Sequence, residues 1–381
     1  MSQTKTQAVA ADHVFDGTTT HDKAAVLFDG DTIACVISQA DVPDGVTTQA
    51  LPHGAWLAPG FIDVQVNGGG DVLFNDSPTP ETIATIVRAH RKAGTTALLP
   101  TFITDAADKI PAAIAAVQSA IDREPGVLGI HLEGPFISPN RTGVHDAKFI
   151  RRMSAADLSL LAQPRKGVTL VTLAPEEAPT GAIAQLAKAG VRVSLGHSVA
   201  TYEQTRAAMS EGLTGFTHLF NVMPPMLARE PGPIAAALES PKAFYGLIVD
   251  GAHVDPASLR IALRGAGHPM LVTDAMPPVG GSRASFKLYG NEIAVRDGQL
   301  RRQDGTLAGA FITMAQAVNN CVKMLGLPLE QALRLASRNP AEFLGLGDRL
   351  GQLAPGYRAD MVAFHPDQVE VIQTWGAGKA S

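Results

Sequence analysis

Four segments of the chain each end an apolar run on a residue able to bind a metal or move a proton. They read Ile130-His131-Leu132-Glu133-Gly134, Ser194-Leu195-Gly196-His197-Ser198, Phe216-Thr217-His218-Leu219-Phe220 and Val272-Thr273-Asp274-Ala275. A fifth, Val249-Asp250-Gly251-Ala252-His253, adds another Asp and His. A single histidine after a strand is more often a satisfied polar group than a ligand. Glu133, His197 and His218 taken together, each beside small residues, make a three-ligand set with one position left for water, an arrangement common to catalytic zinc. A metal held this way brings the pKa of its water to about 7. Asp274 is placed to accept the water proton and return it to a leaving nitrogen. The chemistry is hydrolysis of an amide or ester.

These side chains are far apart in sequence, so the fold must bring them together. Short runs rich in Val, Ile, Leu and Thr alternate with helical patterns, the sign of βα units. The strands are expected at 61–66, 95–100, 127–132, 168–173, 191–195, 215–217, 244–249 and 270–272. Helices are expected at 79–93, 106–123, 180–189, 201–211, 313–325 and 329–337. Thr79-Pro80-Glu81 supplies a cap and an N1 proline, and Gly94 a stop. Eight such units over ~280 residues match a (β/α)₈ TIM-like barrel, whose usual size is ~250 residues. A doubly wound open sheet is the rival. Chemistry placed after many different strands favours the barrel, because an open sheet binds at one switch point.

The ends differ from the middle. Residues 1–55 and 349–381 hold short strand-like pieces and read as one small β-sandwich domain built from both termini. Residues 56–348 form the hydrolase barrel, with a β-hairpin inserted near 283–305.

Composition narrows the function. The net charge of −5, with no basic run, argues against a nucleic-acid surface. No apolar stretch approaches the ~20 residues of a membrane span, and Met1-Ser2-Gln3-Thr4-Lys5 leads into polar sequence unlike an apolar leader. Cys35 and Cys321 sit in no metal spacing, which points to a reducing cytoplasm. Gly68-Gly69-Gly70 lacks the spacing of a dinucleotide fingerprint; it reads as a flexible loop at the site. His131 shares a strand face with Glu133 and is left outside the site. His13, His21, His53, His90, His268 and His365 have no chemical context and are expected to be exposed.

From about residue 56 to 365 the chain resembles the N-acetylglucosamine-6-phosphate deacetylases, a branch of the amidohydrolase superfamily. The segments that carry the resemblance include 59–68 (PGFIDVQVNG), 131–136 (HLEGPF), 196–198 (GHS), 217–224 (THLFNVMP), 229–232 (REPG), 250–255 (DGAHVD) and 272–275 (VTDA), all in this order. The resemblance implies metal-dependent hydrolysis of the acetamide of N-acetyl-D-glucosamine 6-phosphate to glucosamine 6-phosphate and acetate, in amino-sugar catabolism. It implies Glu133, His197 and His218 as metal ligands and Asp274 as general base and acid beside a metal-bound hydroxide. It further implies substrate contacts from His145, Asn221, Val222, Arg229, His253, Ala308, Gly309 and Ala310. It also implies a homodimer in which the neighbouring subunit completes the site, with Arg229 the first candidate to cross over. Guanidinium suits that task, because it binds phosphate oxygens in a fork.

Many amidohydrolases carry His-x-His after the first strand and hold two metals. Here that position reads Gln65-Val66-Asn67, and neutral amides are poor transition-metal ligands. One divalent ion per subunit is therefore expected, with Gln65 and Asn67 marking a vestigial second position. Zinc is the first choice; iron(II), cobalt(II) and manganese(II) also suit the donors. The fourth strand ends Thr172-Leu173-Ala174-Pro175-Glu176 and supplies no lysine to bridge two metals. Two rival functions are an amidohydrolase acting on another N-acyl substrate and a catalytically silent sugar-phosphate sensor. The complete ligand set and Asp274 speak against the second.

Overall fold

The computed structural model describes residues 6–381. Met1–Lys5, read above as polar and unlike an apolar leader, lies outside the described residues. Among the described residues no helix is long and apolar enough to cross a membrane.

Eight parallel strands form the central sheet: Phe61–Val66, Thr95–Ile103, Gly129–Glu133, Val168–Leu173, Arg192–Leu195, Gly215–Phe216, Phe244–Leu247 and His268–Leu271. They pair in chain order, as a barrel requires. The first and last strands meet just beyond their ends. Val66 bridges Ala275 in parallel, the Asp274 N–H donates to the Gln65 carbonyl at 3.0 Å, and the Asn67 N–H donates to the Ala275 carbonyl at 2.9 Å. The first three strands are buried along their whole length, because helices cover one side and the barrel interior the other.

The interior is polar towards the C-terminal ends. Alternate residues of a strand share a face, and Gln65, His131, Glu133, Thr172 and Thr217 meet there. His131 bonds Thr172 Oγ1 through Nε2 at 2.7 Å, and Thr172 Oγ1 lies 2.6 Å from Thr217 Oγ1. The chain thus spends buried hydrogen-bonding capacity on orienting strand ends, since an unpaired buried polar group costs about 1–3 kcal/mol.

The outer helices form where the caps and periodicity place them. Pro80–Arg91 has Thr79 accepting from the Thr82 N–H and turns Ile83, Ile86, Val87 and His90 inward. Met314–Leu325 carries a capping box between Thr313 and Gln316 and ends at Gly326 in the left-handed region. The short helices Ala155–Leu161, Gly232–Glu239 and Arg338–Leu344 were not expected.

Gln7–Phe15, Thr20–Asp29, Thr32–Ser38, Thr47–Ala50 and Trp56–Pro59 pair with Met361–His365, Glu370–Gly376 and Lys379–Ala380 in one separate sheet. Its central contact joins Trp56–Pro59 to Met361–His365 in antiparallel register. Val9, Val26, Leu57, Met361 and Trp375 pack in one apolar cluster, while Ala8, Ala10, Ala25 and Leu27 pack in another, as alternation along the strands dictates.

The expected hairpin is a three-stranded antiparallel sheet, Ser285–Leu288, Asn291–Arg296 and Gln299–Arg301. Leu288, Ile293 and Leu300 turn to one side and pack on Leu73, Ile103 and Met276 above the barrel. The histidine expectation also needs correction. His90 is fully buried, and its Nε2 bonds the Gly68 carbonyl at 2.9 Å, so it anchors the loop after the first strand. His13, His21, His268 and His365 are half-buried, and His53 is exposed.

Candidate metal centre

Glu133 is the last residue of the third strand, and His197 and His218 each lie two residues beyond the fifth and sixth strands. One ligand atom from each lies within 4.8 Å of the others. Glu133 Oε1 is 3.1 Å from His197 Nε2 and 3.0 Å from His218 Nε2, and the two imidazole nitrogens are 3.2 Å apart. All three residues are buried. His197 has φ +50° and His218 φ +33°, left-handed values uncommon outside glycine. Asp274 shares this feature at φ +52°. Strain of this kind, of order 1–3 kcal/mol per residue, gathers at functional sites. Here it turns each side chain sharply off its strand end.

Local sequence enforces the turns. Gly134, at φ +83°, lets the chain leave the third strand; a Cβ there would lie 2.2 Å from Thr104 Oγ1. That hydroxyl is needed elsewhere, because it bonds His145 Nδ1 at 2.7 Å.

The donors fit a metal. His197 Nδ1 donates to the Arg141 carbonyl at 2.9 Å, which leaves Nε2 as a lone pair facing Glu133 and His218. Fixing the far nitrogen of a ligating imidazole in this way is the usual means of setting its tautomer. His218 Nδ1 is buried and has no hydrogen-bond partner among the described residues. Burial alone would raise the Glu133 pKa, but the hydrogen bonds and charge of His197 and His218 hold it well below the ordinary carboxylate value. It is an anion, as a ligand must be.

Asp274 faces the same point. Its Oδ1 accepts from Asn67 Nδ2 at 2.6 Å and from Gln65 Nε2 at 3.3 Å. Gln65 Nε2 also lies 3.1 Å from Glu133 Oε2. The two amides, Gln65 and Asn67, therefore act as donors to the acids. Burial, followed by the charge of Glu133, raises the Asp274 pKa to about 6, a suitable value for a group that takes and returns a proton near neutrality.

A cavity of about 310 Å3 opens over these groups. Besides the metal set and Asp274, His145, Asn221, Val222, His253 and Gly309 line it. Burial, then the neighbouring His197, lowers the His145 pKa to about 3, so this imidazole is neutral. His253 Nδ1 bonds Asp250 Oδ2 at 2.6 Å. Asn221 Nδ2 donates to the His218 carbonyl at 3.1 Å. Three of the expected substrate contacts do not line the cavity. Ala308 and Ala310 are buried beside it, and Arg229 is exposed in a surface loop. Thr104, Arg141 and Arg301 take part in the cavity or its support without having been singled out. No spacing signal marks them, since their roles arise only when loops from different strands pack.

An amidohydrolase family model matches residues 56–380. The chain is 42% identical to an N-acetylgalactosamine-6-phosphate deacetylase from Shewanella sp. (strain ANA-3), with 94% of each chain covered. It is 36% identical to the N-acetylglucosamine-6-phosphate deacetylase of Haemophilus influenzae, covering 93% of this chain and 94% of that one. The crystal structure of N-acetylglucosamine-6-phosphate deacetylase from Pasteurella multocida superposes with a TM-score of 0.94 at 34% identity, over 99% of both chains.

Proposed function

The chain belongs to the amidohydrolase family, and on that premise we propose that it removes the acetyl group of N-acetyl-D-glucosamine 6-phosphate, giving D-glucosamine 6-phosphate and acetate. The observation that carries the reading is the convergence of Glu133, His197 and His218 on one point beside Asp274. The named activities of the relatives support the substrate class.

Glu133, His197 and His218 would hold a divalent cation, which would supply Lewis acidity and a water with a pKa of about 7. We assign it as zinc, one per subunit, because two imidazoles and a carboxylate with an open position suit that ion. Asp274 takes the proton of the attacking water as oxygen bonds to the acetyl carbon. Asp274 then delivers a proton to the amide nitrogen as the C–N bond breaks, so acetate and the free amine leave. Asn67 and Gln65 hold the Asp274 carboxylate in place through its Oδ1. Neutral His145 offers a hydrogen bond without adding charge, and His253, fixed by Asp250, offers Nε2 to the sugar. Asn221, Val222 and the Ala308–Ala310 stretch shape the remaining wall.

Arg229 stands outside its own cavity, beside the exposed Met226 and Leu227. That placement favours a homodimer in which Arg229 enters the neighbouring site to meet the phosphate. Both cysteines are free, in keeping with a cytoplasmic enzyme.

The Shewanella relative favours a second reading, in which the galacto epimer is the better substrate. Acetate release from the gluco and galacto 6-phosphates, and from the same sugars without phosphate, separates the two. A kcat/KM for the gluco 6-phosphate at least matching that for the epimer supports the primary reading. A preference for the galacto form replaces the sugar, and release from neither overturns both.

A further inference from the structure

The inserted sheet does more than roof the barrel. Its last strand ends at Arg301, which lines the substrate cavity together with Gly305 and Thr306 of the following turn. Arg301 is the one lysine or arginine lining that cavity among the described residues. The two carboxylates there, Glu133 and Asp274, lie at the reacting end.

The insert is anchored to the site rather than hinged over it. Leu288, Ile293 and Leu300 pack with Ile103 and Met276. Arg302 Nη2 donates to the Val144 carbonyl at 2.9 Å, and the Tyr289 hydroxyl donates to the Thr104 carbonyl. Both attachments fall on segments that carry or support His145. A residue on this wall therefore has a fixed position relative to the metal ligands.

The contacts of Arg301 are all to neutral acceptors. Nε and Nη2 donate to Gln299 Oε1, and Nη1 donates to the Gly305 carbonyl. No carboxylate forms an ion pair with it among the described residues. A guanidinium has five N–H donors, and these three contacts orient it while leaving others for a ligand. An oriented, charge-unpaired guanidinium in a cavity matches an oxyanion. A dianionic group is attracted to this guanidinium, the one lysine or arginine lining the cavity among the described residues.

We propose that Arg301 is a specificity-determining residue that binds the phosphate monoester of the substrate from within the same subunit. The inference rests on the sugar-phosphate reading above, and it stands whether or not a partner's Arg229 also reaches that group.

The test uses metal-loaded wild type, Arg301→Gln and Arg301→Lys, each checked for metal content and circular dichroism. Calorimetry measures binding of glucosamine 6-phosphate, inorganic phosphate and glucosamine; a parallel assay measures acetate release with and without the 6-phosphate. Arg301→Gln should weaken both phosphate-bearing ligands roughly ten- to hundredfold, the scale of a lost charge-assisted hydrogen bond. KM should rise more than kcat falls, Arg301→Lys should recover part of the loss, and acetate release from unphosphorylated N-acetylglucosamine should stay within about twofold of wild type. Unchanged phosphate binding, or an equal loss on phosphorylated and unphosphorylated sugars, overturns the inference. If wild type releases no acetate from the 6-phosphate yet binds phosphate in an Arg301-dependent way, the functional reading fails and Arg301 stands as the anion site. Phosphate binding that ignores Arg301 removes that site.

Discussion

Asn67 Nδ2 donates to Asp274 Oδ1 at 2.6 Å across the seam where the first and last barrel strands meet. The contact joins barrel closure to the carboxylate proposed to move the proton. It also favours the charged form of a carboxylate that burial and Glu133 push the other way. In Asn67→Ala, Asp274 should hold its proton to higher pH. The acid limb of the kcat/KM profile should therefore move upward, with a larger loss of activity at pH 6 than at pH 8. Superimposable profiles, scaled by one factor at every pH, would show that Asn67 does not tune Asp274.

Asp274→Asn keeps the shape of the side chain and removes its ability to accept a proton. Turnover should drop roughly 10²–10⁴-fold, the range for lost general acid–base help, while metal content is retained. Near-normal turnover in a metal-loaded variant would take Asp274 out of the mechanism.

Arg229 is exposed and absent from its own cavity, so its proposed entry into a partner's site has a complementation test. Arg229→Ala and Asp274→Asn subunits should each be poor on the phosphorylated sugar. In a mixed dimer, one site combines an intact Asp274 with an intact Arg229 from across the interface. Co-expression with two tags, followed by tandem purification, should recover activity well above either parent. Activity no higher than the parents, in a verified mixed dimer, would exclude the crossover.

The ion pair at the start of helix Ala155–Leu161 makes a stability prediction. Burial alone would raise the Asp157 pKa, but hydrogen bonds from Arg151 and Ser154 hold it down to about 2. The folded protein thus binds this proton more weakly than the unfolded chain, whose carboxylate has the ordinary value of 3.8. The contribution is complete above that value and is lost as pH falls through about 2. Ser154→Ala, which opens the capping box, should cost about 0.5–2 kcal/mol in denaturant unfolding at pH 7. The difference from wild type should shrink as pH approaches 2, and a constant difference would count against the linkage.

Much of the barrel was legible because apolar runs alternate with helical patterns along the chain. Phe61–Val66 and Val168–Leu173 lie where the pattern places them. Helix Gly232–Glu239 escaped notice because eight residues give too little periodicity. His90 sits on an otherwise ordinary helix, and only its partner Gly68, distant in sequence, explains its burial. At the site, Glu133, His197, His218 and Asp274 stood out because strand ends carry function in a barrel. Gln65 and Asn67 were legible as departures from a metal motif. Their part as donors to Glu133 and Asp274 depends on side-chain distances that no spacing encodes. Arg301 was hidden for a related reason: it reaches the cavity only because the insert folds as three strands instead of two.

The convergence of Glu133, His197 and His218 on a cation is most directly tested by anomalous diffraction from crystals of protein loaded with zinc, with acetate release measured on the same preparation. One strong peak should lie between Glu133 Oε1, His197 Nε2 and His218 Nε2, within reach of Asp274, and chelation should abolish both the peak and acetate release from N-acetylglucosamine 6-phosphate. Full activity in protein with no ion at that point, or with its metal bound elsewhere, would contradict the assignment.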